Sequence, residues 1–187
     1  MKRMLVSAAL VALILGSASL STSAQTNDGR YDNDYQDLAR IVKGFQINPV
    51  HLNLVGKDLR LVGLGSYLVN AVAACNECHS NPTYLPGGNP FMGQPTKINT
   101  AGFLAGGQAF GPFISRNITP QNGKPAGLSW PQFLNVMRTG VDPEQLHPQI
   151  SPLLQVMPWP VFRHMNDHDL RAIYEYLRAI PSIKAEP

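Results

Sequence analysis

Cys75-Asn76-Glu77-Cys78-His79 is the stretch on which the reading of this 187-residue chain turns. Cys75 and Cys78 are the two cysteines of the whole sequence, so nothing competes for either thiol. Two thiols at this spacing, followed at once by a histidine, can add across the two vinyl groups of one porphyrin. The imidazole is then held under the iron as its proximal ligand. Other uses of a Cys-x-x-Cys pair fit less well. A structural zinc site wants four ligands, and His147, His164 and His168 do not have the spacing of a finger. A thioredoxin-like dithiol needs a βαβ context, whereas the flanking sequence reads as helix and loop. A disulfide across two residues is strained. The stretch is therefore read as the covalent attachment site of one haem c.

The N-terminus points to the same chemistry. Lys2 and Arg3 precede an apolar run over residues 4–15, and Thr22-Ser23-Ala24 forms a small-residue cleavage site before Gln25. Residues 1–24 are thus expected to be a cleavable signal peptide. The run is about a dozen residues, against the roughly 20 needed to span a bilayer, so no transmembrane anchor is expected after cleavage. Haem c is attached outside the bacterial cytoplasm, so the expected location is the periplasm. Loss of Lys2 and Arg3, with no acid before Asp28, takes the formal charge from +3 to +1. That balance gives no support to nucleic-acid or acidic-membrane binding. Sixteen prolines and sixteen glycines predict one loop-rich domain with few long regular elements.

Residues 25–37 are polar and read as a mobile leader, and 38–57 add a short apolar segment and an irregular stretch around Pro49. A first helix is predicted over 57–74, where Leu61, Leu64, Leu68 and Val72 fall on one face. Gly65 is costly inside a helix, which a close helix–helix crossing there would explain. Residues 80–127 are too rich in Gly and Pro for a regular sheet or long helix, yet Phe91, Phe103, Phe110 and Phe113 ask for burial. A second helix is predicted over 129–139, with Ser129 as N-cap and Gly140 just past its end. Its inward residues are Phe133, Leu134, Val136 and Met137. The last is predicted over 167–179, capped by Asn166 with Asp169, striped by Leu170, Ile173, Tyr174 and Leu177, and stopped by Pro181.

What fills the iron's second axial position separates electron carriers from catalysts and gas binders. Met157 is the leading candidate, since Pro158 and Pro160 restrict the backbone beside it in a loop ahead of the last helix. Met92, in a Gly/Pro-rich loop, stays open, as does a histidine. Met137 reads as helix core and Met165 as a hydrophobic staple. His51, His147, His164 and His168 read as surface residues by default. Asn117, Trp130 and Arg116 are candidate donors to haem propionates, with ordinary capping and packing as the alternative.

Several further stretches fall in a recognisable order: Gly65-Ser66-Tyr67-Leu68-Val69-Asn70 before the cysteine pentapeptide, then Asn117-Ile118-Thr119-Pro120 and Leu128-Ser129-Trp130 with Phe133. Arg138-Thr139-Gly140, Met157-Pro158, and Asp169-Leu170 leading to Tyr176-Leu177-Arg178 complete the set. On these residues the chain resembles class I c-type cytochromes, and more narrowly the single-haem domains of cytochrome subunits of bacterial periplasmic dehydrogenases. The resemblance covers residues 60–181. It implies an all-α, cytochrome c-like fold over residues 58–183, with 25–57 an extension outside it. It implies Cys75 and Cys78 as thioether attachments, His79 and Met157 as axial ligands, and haem c as the cofactor. The function it implies is one-electron transfer, with redox protein partners: a dehydrogenase upstream and a cytochrome or oxidase downstream. Those subunits often carry three such motifs, and this chain has one. With no acid–base or nucleophile constellation beyond the haem, an electron-transfer protein is expected rather than an enzyme. The alternative is a peroxidase-like or gas-binding cytochrome with an open or displaceable distal site.

Overall fold

The computed structural model describes residues 28–143 and 151–184. The expected signal peptide and His147 lie outside these. The described chain is mostly helical, with six α-helices and four strands of two residues each. In order these are α1 (Asp28–Ile47), α2 (Leu59–Tyr67), α3 (Cys75–His79), β1 (Ala109–Phe110), β2 (Phe113–Ile114), β3 (Pro120–Gln121), β4 (Lys124–Pro125), α4 (Trp130–Thr139), α5 (Trp159–Phe162) and α6 (Asp167–Leu177). Strands β1 and β2 form one antiparallel hairpin and β3 and β4 another. No helix among the described residues is long and apolar enough to cross a membrane.

Helix α2 is the centre of the packing. Asp58 caps it, its carboxylate accepting from the N–H groups of Arg60 (2.9 Å) and Leu61 (3.4 Å). Two glycines let it meet a neighbour on each side. At Gly65 an added Cβ would lie 1.9 Å from the Ala172 carbonyl oxygen of α6. The backbones of α2 and α6 are thus in direct contact, as the glycine in a helix interior predicts. At Gly63 a Cβ would meet Ile41 and Phe45 of α1, each at 2.6 Å. The facing Gly44 has the same relation to the Gly63 carbonyl, at 1.9 Å. Ser66 Oγ adds a hydrogen bond to the Gly44 carbonyl (2.7 Å). With helices on both sides, Val62, Leu64 and Leu170 are fully enclosed. Each such aliphatic side chain contributes about 1.5–3 kcal/mol through burial.

The polar leader predicted to run through Asp37 is helical from Asp28 onward. Its helix is long enough to place Ile41, Gly44 and Phe45 against α2, and that packing outweighs a sequence whose first turns give no apolar stripe.

The helix predicted over 57–74 is regular only to Tyr67. Residues Leu68–Val72 form a π-helical turn, closed by the Ala73 N–H on the Leu68 carbonyl (2.8 Å). Asn70 is the local cause: its side-chain amide donates to the Ser66 carbonyl (2.9 Å), the acceptor its own backbone N–H would use in an α-helix. The wider turn rotates the residues that follow. Val69 is therefore buried, and Val72, predicted on the apolar stripe, is exposed. Ala74 then takes a left-handed conformation (φ 49°, ψ 40°), and α3 leaves in a new direction.

The other two predicted helices agree with the structure. Ser129 and Gln132 form a capping box on α4, and Gly140 ends it with φ 73°. Asn166 caps α6, accepting from the Asp169 N–H (2.7 Å), and its four predicted stripe residues are buried. Residues 80–127 are irregular apart from the two hairpins, a single 3₁₀ turn, Pro90–Met92, and an isolated antiparallel bridge between Tyr84 and Ile98. Phe103 is buried, whereas Phe91 is 81% exposed, against the expectation of burial.

Replacing Gly65 by Ala forces a methyl group against backbone that cannot rotate away. The substitution is expected to lower stability by about 2–3 kcal/mol, read from the denaturant midpoint. An unchanged midpoint would contradict the close crossing.

Candidate haem site

Helix α3 carries the cysteine pentapeptide, and the left-handed Ala74 turns it so that Cys75, Cys78 and His79 all face one cavity. Met157 lines the same cavity from the 151–158 loop. Between them the walls are mostly apolar, with Phe110 and Phe113 of the first hairpin, Phe133 and Val136 of α4, and Ile173 and Leu177 of α6. The close crossing of α2 and α6 brings that last pair to the cavity.

His79 is fixed through its Nδ1, which lies 2.7 Å from the Arg116 carbonyl oxygen. A carbonyl only accepts, so Nδ1 carries the proton and Nε2 keeps a free lone pair. Burial lowers the imidazole's pKa, outweighing the Arg116 carbonyl bond that raises it, with the Arg116 charge as a smaller lowering cause. The ring is thereby kept neutral, the form that ligates a metal. Burial pushes the Cys75 thiol up to about 12, with the neighbouring Cys78 adding to the effect. Burial raises Cys78 as well, followed by the charge of Glu77. A redox dithiol or nucleophile needs the opposite shift. These sulfurs stay as thiols, the state in which they add to vinyl groups.

The end of α3 is stitched to the loop across from it. Ser80, fully buried, donates through Oγ to Asn76 Oδ1 (2.6 Å) and accepts from the Leu104 N–H (2.8 Å). The Gly106 N–H donates to the His79 carbonyl (2.6 Å).

Met157 sits between two three-residue turns. Its N–H donates to the Gln155 carbonyl and its carbonyl accepts from the Trp159 N–H, both at 2.8 Å. Val156, central to the first, has φ 72°, a conformation that costs a β-branched residue about 1–3 kcal/mol. The loop is anchored to the end of α4: the Leu154 N–H donates to the Gly140 carbonyl (2.8 Å). The Trp159 ring lies on Gly140, where a Cβ would come within 2.4 Å of it.

The other sequence candidates fall elsewhere. Met92 is 72% exposed and lines a separate surface hollow. His51, His164 and His168 are exposed. Met165 packs against the core. Met137 is buried as predicted and also lines the cavity. Of the proposed propionate donors, Arg116 lines the cavity while Asn117 and Trp130 do not. Asn117 instead staples the C-terminal segment, its Nδ2 donating to the Ile183 carbonyl (2.7 Å) and its Oδ1 accepting from Thr119. Trp130 packs with Phe133 and Tyr174 under the Arg171 guanidinium. Sequence reasoning missed Asp142, whose carboxylate takes the Arg116 guanidinium (2.7 Å) inside the cavity wall. It also missed the Arg116 carbonyl as the partner of His79.

These residues fit a covalently held haem. Two neutral thiols, an imidazole with its second nitrogen already bonded, and two thioethers, Met157 from the loop and Met137 from α4, share one mostly apolar cavity.

No family model and no solved structure matches the chain. Two curated proteins do. One of the subunits of nicotinate dehydrogenase from Pseudomonas putida is 33% identical over 119 residues, covering 63% of this chain and 8% of that protein. The gluconate 2-dehydrogenase cytochrome c subunit of Pantoea cypripedii is 33% identical over 119 residues, 62% of this chain and 22% of that protein. The chain thus corresponds to a small part of each of these longer relatives.

Ser80→Ala leaves the Leu104 N–H and Asn76 Oδ1 buried without a partner. It should cost about 1–3 kcal/mol in denaturant unfolding. Full stability of that variant would mean that the α3 end is not held through Ser80.

Proposed function

We propose that this chain is a periplasmic monohaem c-type cytochrome that carries single electrons. In this reading Cys75 and Cys78 bind the haem through thioethers, and His79 and Met157 are its axial ligands. One observation carries the proposal: the attachment pentapeptide and a thioether from a distant loop line the same apolar cavity. When bound, the haem supplies reversible one-electron chemistry at iron.

The chain's own residues do the rest. Cys75 and Cys78 fix the haem's position and prevent its loss. His79 presents Nε2 because the Arg116 carbonyl occupies its Nδ1 proton. Met157 contributes a neutral sulfur that changes little between oxidation states. The Phe, Val, Ile and Leu walls keep water out, which with thioether donation favours the ferrous form and a fairly high potential. The similarity to two dehydrogenase subunits supports a dehydrogenase as electron donor. A downstream cytochrome or oxidase is the proposed acceptor. The expected signal peptide at residues 1–24 supports export.

A second reading keeps the distal side displaceable, for peroxide chemistry or gas binding. The observation in its favour is the left-handed Val156 beside Met157, in a loop that is largely exposed.

Absorption spectra of protein exported from a host that matures c-type cytochromes separate these readings. Low-spin haem c with the far-red ferric iron–thioether band is expected, and Met157→Ala should abolish the band and turn the iron high-spin. An unchanged spectrum in that variant rejects Met157 as ligand. High-spin iron in the unaltered protein favours the second reading, and absence of covalent haem rejects both.

A further inference from the structure

His79 is held twice by main chain, once at its ring and once at its carbonyl. The Arg116 carbonyl oxygen accepts from Nδ1 (2.7 Å), and the Gly106 N–H donates to the His79 carbonyl (2.6 Å). These two partners also touch each other. Gly106 has φ 77°, and a Cβ built on it would lie 2.5 Å from both Arg116 C and Asn117 N, and 2.6 Å from the Ser115 carbonyl oxygen. The peptide whose carbonyl orients the His79 ring is thus in direct contact with the Gly106 backbone. The three relations close on themselves, running from the His79 ring to the Arg116 peptide, across to Gly106, and back to the His79 carbonyl.

Gly106 has little freedom to move aside, because its neighbours are bonded on both flanks. The Leu104 N–H donates to Ser80 Oγ (2.8 Å), and the Leu104 carbonyl accepts from the Ile118 N–H (3.0 Å). The Gly107 N–H donates to the Ser115 carbonyl (2.9 Å), and the Gly107 carbonyl accepts from Asn81 Nδ2 (2.9 Å). A side chain at 106 would therefore displace the Arg116–Asn117 peptide. Gly107 is a contrasting case at a similar backbone angle. Its φ is 87°, yet an added Cβ would meet nothing nearer than the Asn81 Cβ at 3.6 Å.

We propose that Gly106 is a positioning residue: the absence of a side chain there keeps the Arg116 carbonyl within reach of His79 Nδ1, and so sets how strongly Nε2 donates. The inference rests on the haem reading above. A looser Nδ1 hydrogen bond makes the imidazole a weaker donor at Nε2, which favours the ferrous state. A side chain at 106 therefore raises the reduction potential.

The test uses the haem-loaded protein, read by potentiometric titration and by NMR of the His79 Nδ1 proton in the reduced state. Gly106→Ala should raise the potential and speed exchange of that proton with solvent by about tenfold, as expected for weakening one hydrogen bond. Gly107→Ala carries the cost of positive φ without the clash. It should lower stability in denaturant yet leave potential and exchange unchanged. A Gly106 variant in which either readout stays unchanged, or a Gly107 variant that changes as much, overturns the positioning role and leaves the haem reading standing. Hydrogen exchange of the unaltered protein covers the case of a Gly106 variant that does not fold. There the Gly106 N–H and the His79 Nδ1 proton should share one opening constant, and constants more than about tenfold apart overturn the coupling. Absence of covalent haem in the unaltered protein overturns both the role and the haem reading.

Discussion

The rest of the structure depends on a contact between two backbones. Where α2 crosses α6 there is no side chain at Gly65, and the Ala172 carbonyl takes the space that one would fill. Dispersion and burial are gained over both helices at close range, and Val62, Leu64 and Leu170 are shut off from solvent as a result. The crossing also decides the site. It lays α6 beside the segment that leads to Cys75, so that Ile173 and Leu177 become cavity wall. On the opposite face Gly44 and Gly63 allow α1 an equally close approach. Tyr176 then ties α6 to the π-helical turn after α2, accepting from Asn70 Nδ2 (3.1 Å), and to the residue just past α1, donating to Asn48 Oδ1 (2.9 Å).

From this frame the chain reaches the cavity through backbone shapes that most residues avoid. Ala74, Leu104 and Val156 all have positive φ. Each lies next to something the site needs: Ala74 before Cys75, Leu104 on the Ser80 hydroxyl, Val156 before Met157. Strain of this kind persists only where surrounding contacts over-determine it. For Leu104 those contacts are its own full burial beside Phe103 and its bond to the Ser80 hydroxyl.

How much of this was legible in the sequence follows from the range of the forces involved. Helices α4 and α6 announce themselves because caps and apolar stripes are local. Ser129 with Gln132, and Asn166 with Asp169, lie three residues apart. Gly65 was legible for a related reason, since a glycine inside a helix is costly unless something passes close by. Helix α1 was missed because its support is tertiary: Ile41, Gly44 and Phe45 pack on α2, while its first turns are polar. The π-helical turn has no sequence signature beyond Asn70, whose side chain competes for a backbone acceptor. In the site, the pentapeptide was plain and the loop of Met157 was marked by its prolines. Asp142 was not, because its partner Arg116 is far away in sequence and no pattern links them.

The two sides of the cavity are held in physically different ways. On the His79 side the fixing bonds are buried and mutually reinforcing: a helix end, the Ser80 hydroxyl, the Gly106 N–H and the Arg116 carbonyl. These bonds tie His79 and Ser80 to the 104–116 segment at three points. On the Met157 side the loop is largely exposed, two tight turns flank the thioether, and Val156 carries backbone strain. Its anchors lie at its ends, where Leu154 bonds to Gly140 and the Trp159 ring rests on that same glycine. The left-handed cap of α4 therefore bears on the placement of Met157. A side chain at Gly140 would both strain the cap and push away the indole that fixes the far end of the loop. The geometry thus makes the histidine side the stationary reference and the methionine side the one that can yield.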